Sequence, residues 1–390
     1  MRVPLLDLTR EPAPVREAVE ARVRAVFDTR QFILGRTVEE FEKAFCELTG
    51  CAHAVGMSSG TDAQLAILMA MDIGAGDAVL TTPYTFFATA GCIHRVGAEP
   101  VFLDIRPDTL HLDPVRVAEY LAGCRRADDG TPLTPRGNRI RAVIPVHLFG
   151  ACCDMDALHK AVRPFEIPII EDAAQAIGSW YPGASGAAHA GTLGHSAFFS
   201  FFPTKNLGAA GDAGLSVCAS AEFADRLRLV RNHGMEQRYF HRIVGGNFRM
   251  DAIQAAVLHA KLPFVAEWNA ARRRNAALYR SHLGDLGEVV LPAEPWKDSG
   301  LEGHHTYHQY VVRAQRRDDL IAHLTAAGIG HAIYYPVALH QQECFAHLQN
   351  PPCPEAERAA RETVALPIFP GLGEDEIAAV AETIRAFYRS

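Results

Sequence analysis

Apolar residues recur at helical spacing over residues 12–28 (Val15, Val19, Val23, Val26) and 37–49 (Phe41, Phe45, Leu48), and Gly50 stops the second run. Short apolar runs at 52–56, 78–81, 99–103, 141–147 and 168–171 then predict strands. The helical period returns between them, at 63–71, at 85–96, after Asp113-Pro114 and at 155–162. Several of the strands are apolar on both faces, as parallel strands covered by helices must be. The stretch 123–138 is polar and rich in Gly and Pro, so it reads as a surface loop. Residues 1–246 therefore predict one α/β domain with a mostly parallel sheet. Residues 247–390 predict a smaller α+β domain. It holds a long helix from near Met250 to Leu283 interrupted at Pro263, strands at 307–312 and 331–334, and helices at 318–327, 355–364 and 374–388.

Composition narrows the function. The chain has 390 residues, 48% hydrophobic and 21% charged, enough for a large core. A net charge of -7 argues against nucleic acid or an anionic membrane as partner. The N-terminus lacks the apolar stretch of a signal peptide, and no apolar run approaches the roughly 20 residues of a membrane span, so a cytoplasmic protein is expected. The nine cysteines form no C-x-x-C pair and read as reduced thiols. None of the 18 histidines falls in a zinc-binding spacing, so no metal is expected. His304, His305 and His308 come nearest to a cluster, and a strand with polar faces accounts for them.

Candidate chemistry centres on Ser196-Ala197-Phe198-Phe199-Ser200-Phe201-Phe202-Pro203-Thr204-Lys205-Asn206-Leu207-Gly208. An aromatic strand ends in a proline, and one lysine follows. An amine at the mouth of an apolar slot loses hydration and becomes a usable nucleophile. A structural lysine snorkelling from a strand end is the alternative. Lys43, Lys160 and Lys261 sit in helical patterns and Lys297 in a polar loop. Four further stretches bear on the choice. Ser58-Ser59-Gly60-Thr61-Asp62 lies between a strand and a helix, where free N–H groups make a phosphate cradle. It also reads, with Gly56, as the G-x-S-x-G elbow of a serine hydrolase using Ser58, or as a plain helix cap. Phe86 and Phe87 follow a strand end and either face a flat ligand or fill the core. Asp172 and Gln175 follow an apolar strand, where a carboxylate can pair with a protonated ring nitrogen or cap a helix. Gly245-Gly246-Asn247 precedes a helix as a hinge or cap. A phosphate cradle, an aromatic ring, a carboxylate and a desolvated lysine are together what a protein supplies to pyridoxal phosphate (PLP).

In these motifs, and in Val3-Pro4-Leu5-Leu6-Asp7-Leu8, Val146-His147-Leu148-Phe149-Gly150, Gly246-Asn247-Phe248-Arg249-Met250 and Leu366-Pro367-Ile368-Phe369-Pro370, the chain resembles the DegT/StrS family of PLP-dependent sugar aminotransferases, over nearly its whole length. The resemblance implies the PLP-dependent transferase fold type I, as in aspartate aminotransferase. It implies that Lys205 links covalently to PLP and moves the substrate proton, and that Asp172 keeps the pyridine nitrogen protonated. Phe86 would stack on the ring and Gln175 would lie near its 3-hydroxyl. Gly60, Thr61, Asp62 and Ser200 would hold the phosphate. Asn247 would reach the cofactor of a neighbouring subunit, making a homodimer the working unit. Tyr335 and His340 would face substrate. The implied reaction takes the amine of L-glutamate to a keto-sugar on a nucleotide diphosphate, and the Phe-Pro-Thr-Lys-Asn-Leu-Gly form followed by Gly-Asp resembles members that aminate C3 more than those that aminate C4. Family members with His in place of the lysine are dehydratases. Lys205 favours the aminotransferase.

Overall fold

The computed structural model of the protein describes residues 1–348 and 350–389. Seven strands form the main sheet: β1 (His53–Met57), β2 (Asp77–Thr81), β3 (Glu99–Phe102), β4 (Arg139–Ile144), β5 (Ile170–Asp172), β6 (Ser196–Ser200) and β7 (Gly214–Cys218). Their order is β1-β7-β6-β5-β4-β2-β3. The β5–β4 junction is made by the parallel bridges Val143–Ile169 and Val146–Asp172. Only β7 runs antiparallel to its neighbours. The carboxyl ends of β1, β2, β4, β5 and β6 therefore share one edge, which is where open α/β sheets bind ligands.

Among the described residues twelve helices accompany the strands: α1 (Ala13–Thr29), α2 (Arg36–Thr49), α3 (Gly60–Ala70), α4 (Ala88–Arg95), α5 (Pro114–Gly123), α6 (Met155–Val162), α7 (Ala221–Arg231), α8 (Ala252–Lys261), α9 (Val265–Leu283), α10 (Arg317–Ala326), α11 (Pro354–Glu362) and α12 (Glu374–Arg389). A 3-10 turn at Leu262–Phe264 separates α8 from α9, at the proline that the sequence marks as an interruption. A second sheet of three antiparallel strands, β8 (Val289–Val290), β9 (Tyr310–Ala314) and β10 (Thr363–Leu366), packs with α9, α10 and α12 around Tyr279, Tyr310, Leu320, Val364 and Ile384. Met250, Ala255, Leu258, Leu262 and Val265 lie beyond residue 246, yet pack with Phe41, Phe45, Phe199 and Phe201 beside the large sheet.

Three local expectations are corrected. Residues 331–334 form no strand, and only Ala332 makes a bridge, to Ala365. The helix expected over 355–364 ends at Glu362, where the β-branched Thr363 and Val364 join β9 as β10. The loop over 123–138 carries a small antiparallel ladder, Arg125–Arg126 against Pro132–Leu133. No helix among the described residues is long and apolar enough to cross a membrane.

Two buried histidines give the fold a pH signature. His189 Nε2 accepts from the Gly178 N–H at 2.8 Å and its Nδ1 donates to the Ala190 carbonyl at 2.6 Å, so the ring is held neutral. Burial pushes His189 and His111 from 6.5 down to about 4. The unfolded chain thus binds protons that the fold excludes. The stability these groups contribute is complete above 6.5 and is lost as pH falls from 6.5 towards 4. The thermal midpoint should be flat near neutrality and drop across that window. A midpoint unchanged down to pH 4 would contradict this.

Candidate active site

The reactive segment starts from a rigid strand. On β6, Phe199 packs edge-on against Phe45 at 5.0 Å, and just beyond it Phe201 packs against Phe41 at 5.6 Å. The chain then turns sharply. The Lys205 N–H donates to the Phe202 carbonyl and the Ala209 N–H to the Phe201 carbonyl, each at 2.8 Å. Gly208 is required there, because a Cβ would collide with the Pro203 carbonyl oxygen. Lys205 keeps some exposed surface, but burial of its amine lowers the pKa to about 8, with the charge of Asp172 pulling the other way. Its amine has no hydrogen bond or ion pair among the described residues. Lys43, Lys261 and Lys297 pair with glutamates, and Lys160 is exposed on α6.

Asp172 ends β5 and is 5% exposed. Burial raises its pKa, opposed by hydrogen bonds from Thr89 Oγ1 (2.8 Å) and the Ala174 N–H (3.1 Å). Gln175 is buried nearby. Its Oε1 accepts from the Phe149 N–H at 2.6 Å and its Nε2 donates to the Tyr335 hydroxyl at 3.1 Å. Phe86 is 60% exposed, with its ring centroid 6.4 Å from that of Tyr335. The ring is thus free to face a ligand rather than filling the core. Lys205, Asp172, Gln175, Tyr335 and Phe86 are linked by contacts or charge at one sheet edge. His340 stands apart from this group, with Nε2 3.0 Å from Glu357 Oε1 and its ring against Phe102.

At the other end, Ser59 caps α3 by accepting from the Asp62 N–H at 3.0 Å. The helix starts at Gly60, earlier than the sequence suggests, so the N–H groups of Gly60 and Thr61 sit in its first turn without intrahelical acceptors. A Cβ on Gly60 would lie 2.7 Å from Ser200 Cβ. The glycine lets the cradle close against the end of β6. Ser58 Oγ donates to Asp62 Oδ2 at 2.6 Å and has no histidine partner among the described residues, so a hydrolase elbow is not favoured. Asn247 is exposed, and its backbone pairs with Asn232.

A model of the DegT/DnrJ/EryC1/StrS aminotransferase family matches residues 14–385. The chain belongs to that family. It is 40% identical over 396 positions to a Geobacillus stearothermophilus protein named pleiotropic regulatory protein, covering 100% of this chain and 99% of the relative. It is 41% identical over 383 positions to the UDP-N-acetyl-3-dehydro-alpha-D-glucosamine 3-aminotransferase of Acidithiobacillus ferrooxidans, covering 98% and 97%. The crystal structure of Streptomyces venezuelae DesV in complex with a ketimine intermediate superposes with a TM-score of 0.89 at 37% identity, covering 100% and 99%. The fold and the PLP-dependent transaminase class expected from the sequence are met.

The residues fit PLP. A covalent link to the PLP aldehyde needs a neutral amine, and burial shifts Lys205 towards that form. Burial raises the pKa of Asp172, and a cationic ring nitrogen beside the carboxylate would offset that loss of hydration. The cradle at Gly60, Thr61 and Ser200 offers N–H groups and a hydroxyl to a phosphate. Two supports stand behind the Asp172 strand end. Thr89 orients Asp172, and Gln64 Nε2 in turn holds the Thr89 carbonyl at 2.8 Å. His147 Nδ1 accepts from the Cys153 N–H, so its Nε2–H donates to Glu171 at 2.8 Å. Glu171 also receives the N–H groups of Gly191, Leu193 and Gly194 at 2.6–2.7 Å, which fixes the strand end carrying Asp172.

Proposed function

We propose that the enzyme carries the amine of L-glutamate to C3 of a keto-sugar on a nucleotide diphosphate, in two half-reactions, and works as a homodimer in the cytoplasm. The observation that carries this reading is the grouping at one sheet edge of the Lys205 turn, the buried Asp172 held by Thr89 and the Ala174 N–H, and Gln175 bonded to Tyr335. The name of the 41% identical relative supports a sugar 3-ketone as acceptor.

When bound, PLP supplies an electron sink for the substrate carbanion. Lys205 would anchor it covalently at rest and, once the incoming amine had displaced it, its freed amine would take and return the proton at the substrate carbon. Asp172, oriented by Thr89, would keep a proton on the ring nitrogen. Gln175 would lie near the 3-hydroxyl, and its Nε2 donates to the hydroxyl of Tyr335, which would face substrate. Gly60, Thr61, Asp62 and Ser200 would hold the phosphate, and Phe86 would cover the ring. The homodimer reading is supported by an exposed strip, Tyr239 (76%), Phe240 (68%) and Val244 (87%), just before Asn247, which would reach the neighbouring site. The nine thiols, none in a disulfide among the described residues, suit a reducing compartment.

Phe86→Ala should weaken cofactor retention about two- to tenfold, the worth of one stacking contact (about 0.5–1.5 kcal/mol), with a smaller effect on turnover. A PLP titration followed by absorbance checks it. The reaction itself is tested by incubating enzyme, PLP and L-glutamate with UDP- and dTDP-linked 3-keto and 4-keto sugars. An amino sugar from the 3-ketone, matched mole for mole by 2-oxoglutarate, is expected. Product from 4-ketones alone would overturn the assignment of the carbon, and no product from any of them would overturn the sugar reading.

A further inference from the structure

A buried polar network stands directly behind Lys205. The next residue, Asn206, is 6% exposed. Its Nδ2 donates to Asn269 Oδ1 at 2.7 Å and to the Thr306 carbonyl at 3.1 Å. A carbonyl only accepts, so the amide nitrogen must face Thr306 and Oδ1 must face His308 Nδ1, 3.2 Å away. Asn269 agrees, because its own Nδ2 donates to the Ile177 carbonyl at 3.0 Å. His308 Nδ1 therefore carries the proton. A second proton would place a cation among Lys205 and Arg272 in a buried site. Burial and those two charges push the imidazole well below its usual range, so the ring stays neutral. The segment around His308 has little freedom. A Cβ on Gly150 would lie 3.1 Å from the His308 nitrogen and would collide with Thr306 Oγ1. The Thr306 N–H donates to the Gly150 carbonyl at 2.8 Å.

We propose that His308 is a positioning residue for Lys205: its Nδ1–H holds Asn206, and through Asn206 it fixes the turn that carries the reactive amine. The network ties three elements together: α9 through Asn269, the approach to β9 through Thr306 and His308, and the Lys205 turn. The Lys205 amine has no hydrogen bond among the described residues, so its place depends on this backbone. The inference rests on reading Lys205 as the reactive amine.

Three variants separate positioning from mere packing. His308→Asn keeps an amide donor near the Nδ1 position. His308→Gln moves the amide to the Nε2 end, and His308→Leu fills the space without a donor. Two readouts are taken on the purified protein supplied with PLP: the single-turnover rate with L-glutamate, and hydrogen exchange in peptides spanning 202–209. Leu and Gln should slow the turnover about tenfold to a hundredfold and speed exchange in that turn by a similar factor, because a buried acceptor is left unpaired. KM for glutamate should stay within about threefold, and His308→Asn should restore both readouts to within about threefold. An Asn variant as impaired as Leu and Gln, or Leu and Gln variants unchanged in both readouts, would overturn the proposal. If the wild-type protein does not react with glutamate, the aminotransferase reading fails, while the exchange comparison still decides whether His308 holds the turn.

Discussion

Lys205→Ala should reduce turnover to below about a thousandth of wild type, because one change removes both the covalent anchor and the acid/base group. No neighbour is placed to substitute. Lys43, Lys261 and Lys297 are engaged with glutamates, and Lys160 lies on the surface of α6. The fold should survive. Desolvation makes the charged amine costly, so its removal relieves a buried charge and leaves the turn at Phe202–Ala209 to its backbone hydrogen bonds. The variant should keep its thermal midpoint, bind PLP only reversibly and lack the visible band of the lysine-linked cofactor. Turnover within tenfold of wild type would remove Lys205 from the mechanism.

Asp172→Asn should lower turnover about a hundredfold to a thousandfold while leaving the protein folded. The amide is nearly the shape of the carboxylate. Its oxygen can still accept from the Ala174 N–H, and its Nδ2 can donate to the Thr89 hydroxyl, which changes from donor to acceptor, so the local packing has little reason to change. What disappears is the negative charge. In the native site burial raises the carboxyl pKa, and a protonated ring nitrogen alongside would favour its ionised form. An amide gives no such reward, the ring nitrogen loses its proton, and the electron sink weakens. Rates of the half-reaction with L-glutamate across pH 6–9 would measure this. A variant within about threefold of wild type would mean that the charge at Asp172 is not used.

Most of the large sheet was legible because burial on both faces leaves continuous apolar strands between amphipathic helices. β7 and α7 escaped, since the small residues that dominate 208–214 carry no strand or helix period and hide where the next strand begins. β10 was hidden by α11, whose helical period runs straight into Thr363. The site residues that were legible, Lys205, Asp172 and Gln175, each follow an apolar strand at its carboxyl end. In sequence they stand out as polar groups where a core stops. The linkages between Gln175 and Tyr335, between Thr89 and Asp172, and between Asn206 and His308 join residues 160, 83 and 102 positions apart. No local pattern encodes such contacts. His308 read as part of a polar-faced strand, because its partner lies on a turn that only the fold brings near.

The central claim is that Lys205 holds PLP and that glutamate can reach it. The most direct measurement is the absorbance spectrum of the purified protein with PLP, before and after excess L-glutamate. A visible band that glutamate bleaches, absent from Lys205→Ala, is the predicted result. A protein that gains no band with PLP, or a band that glutamate leaves untouched, would contradict the account.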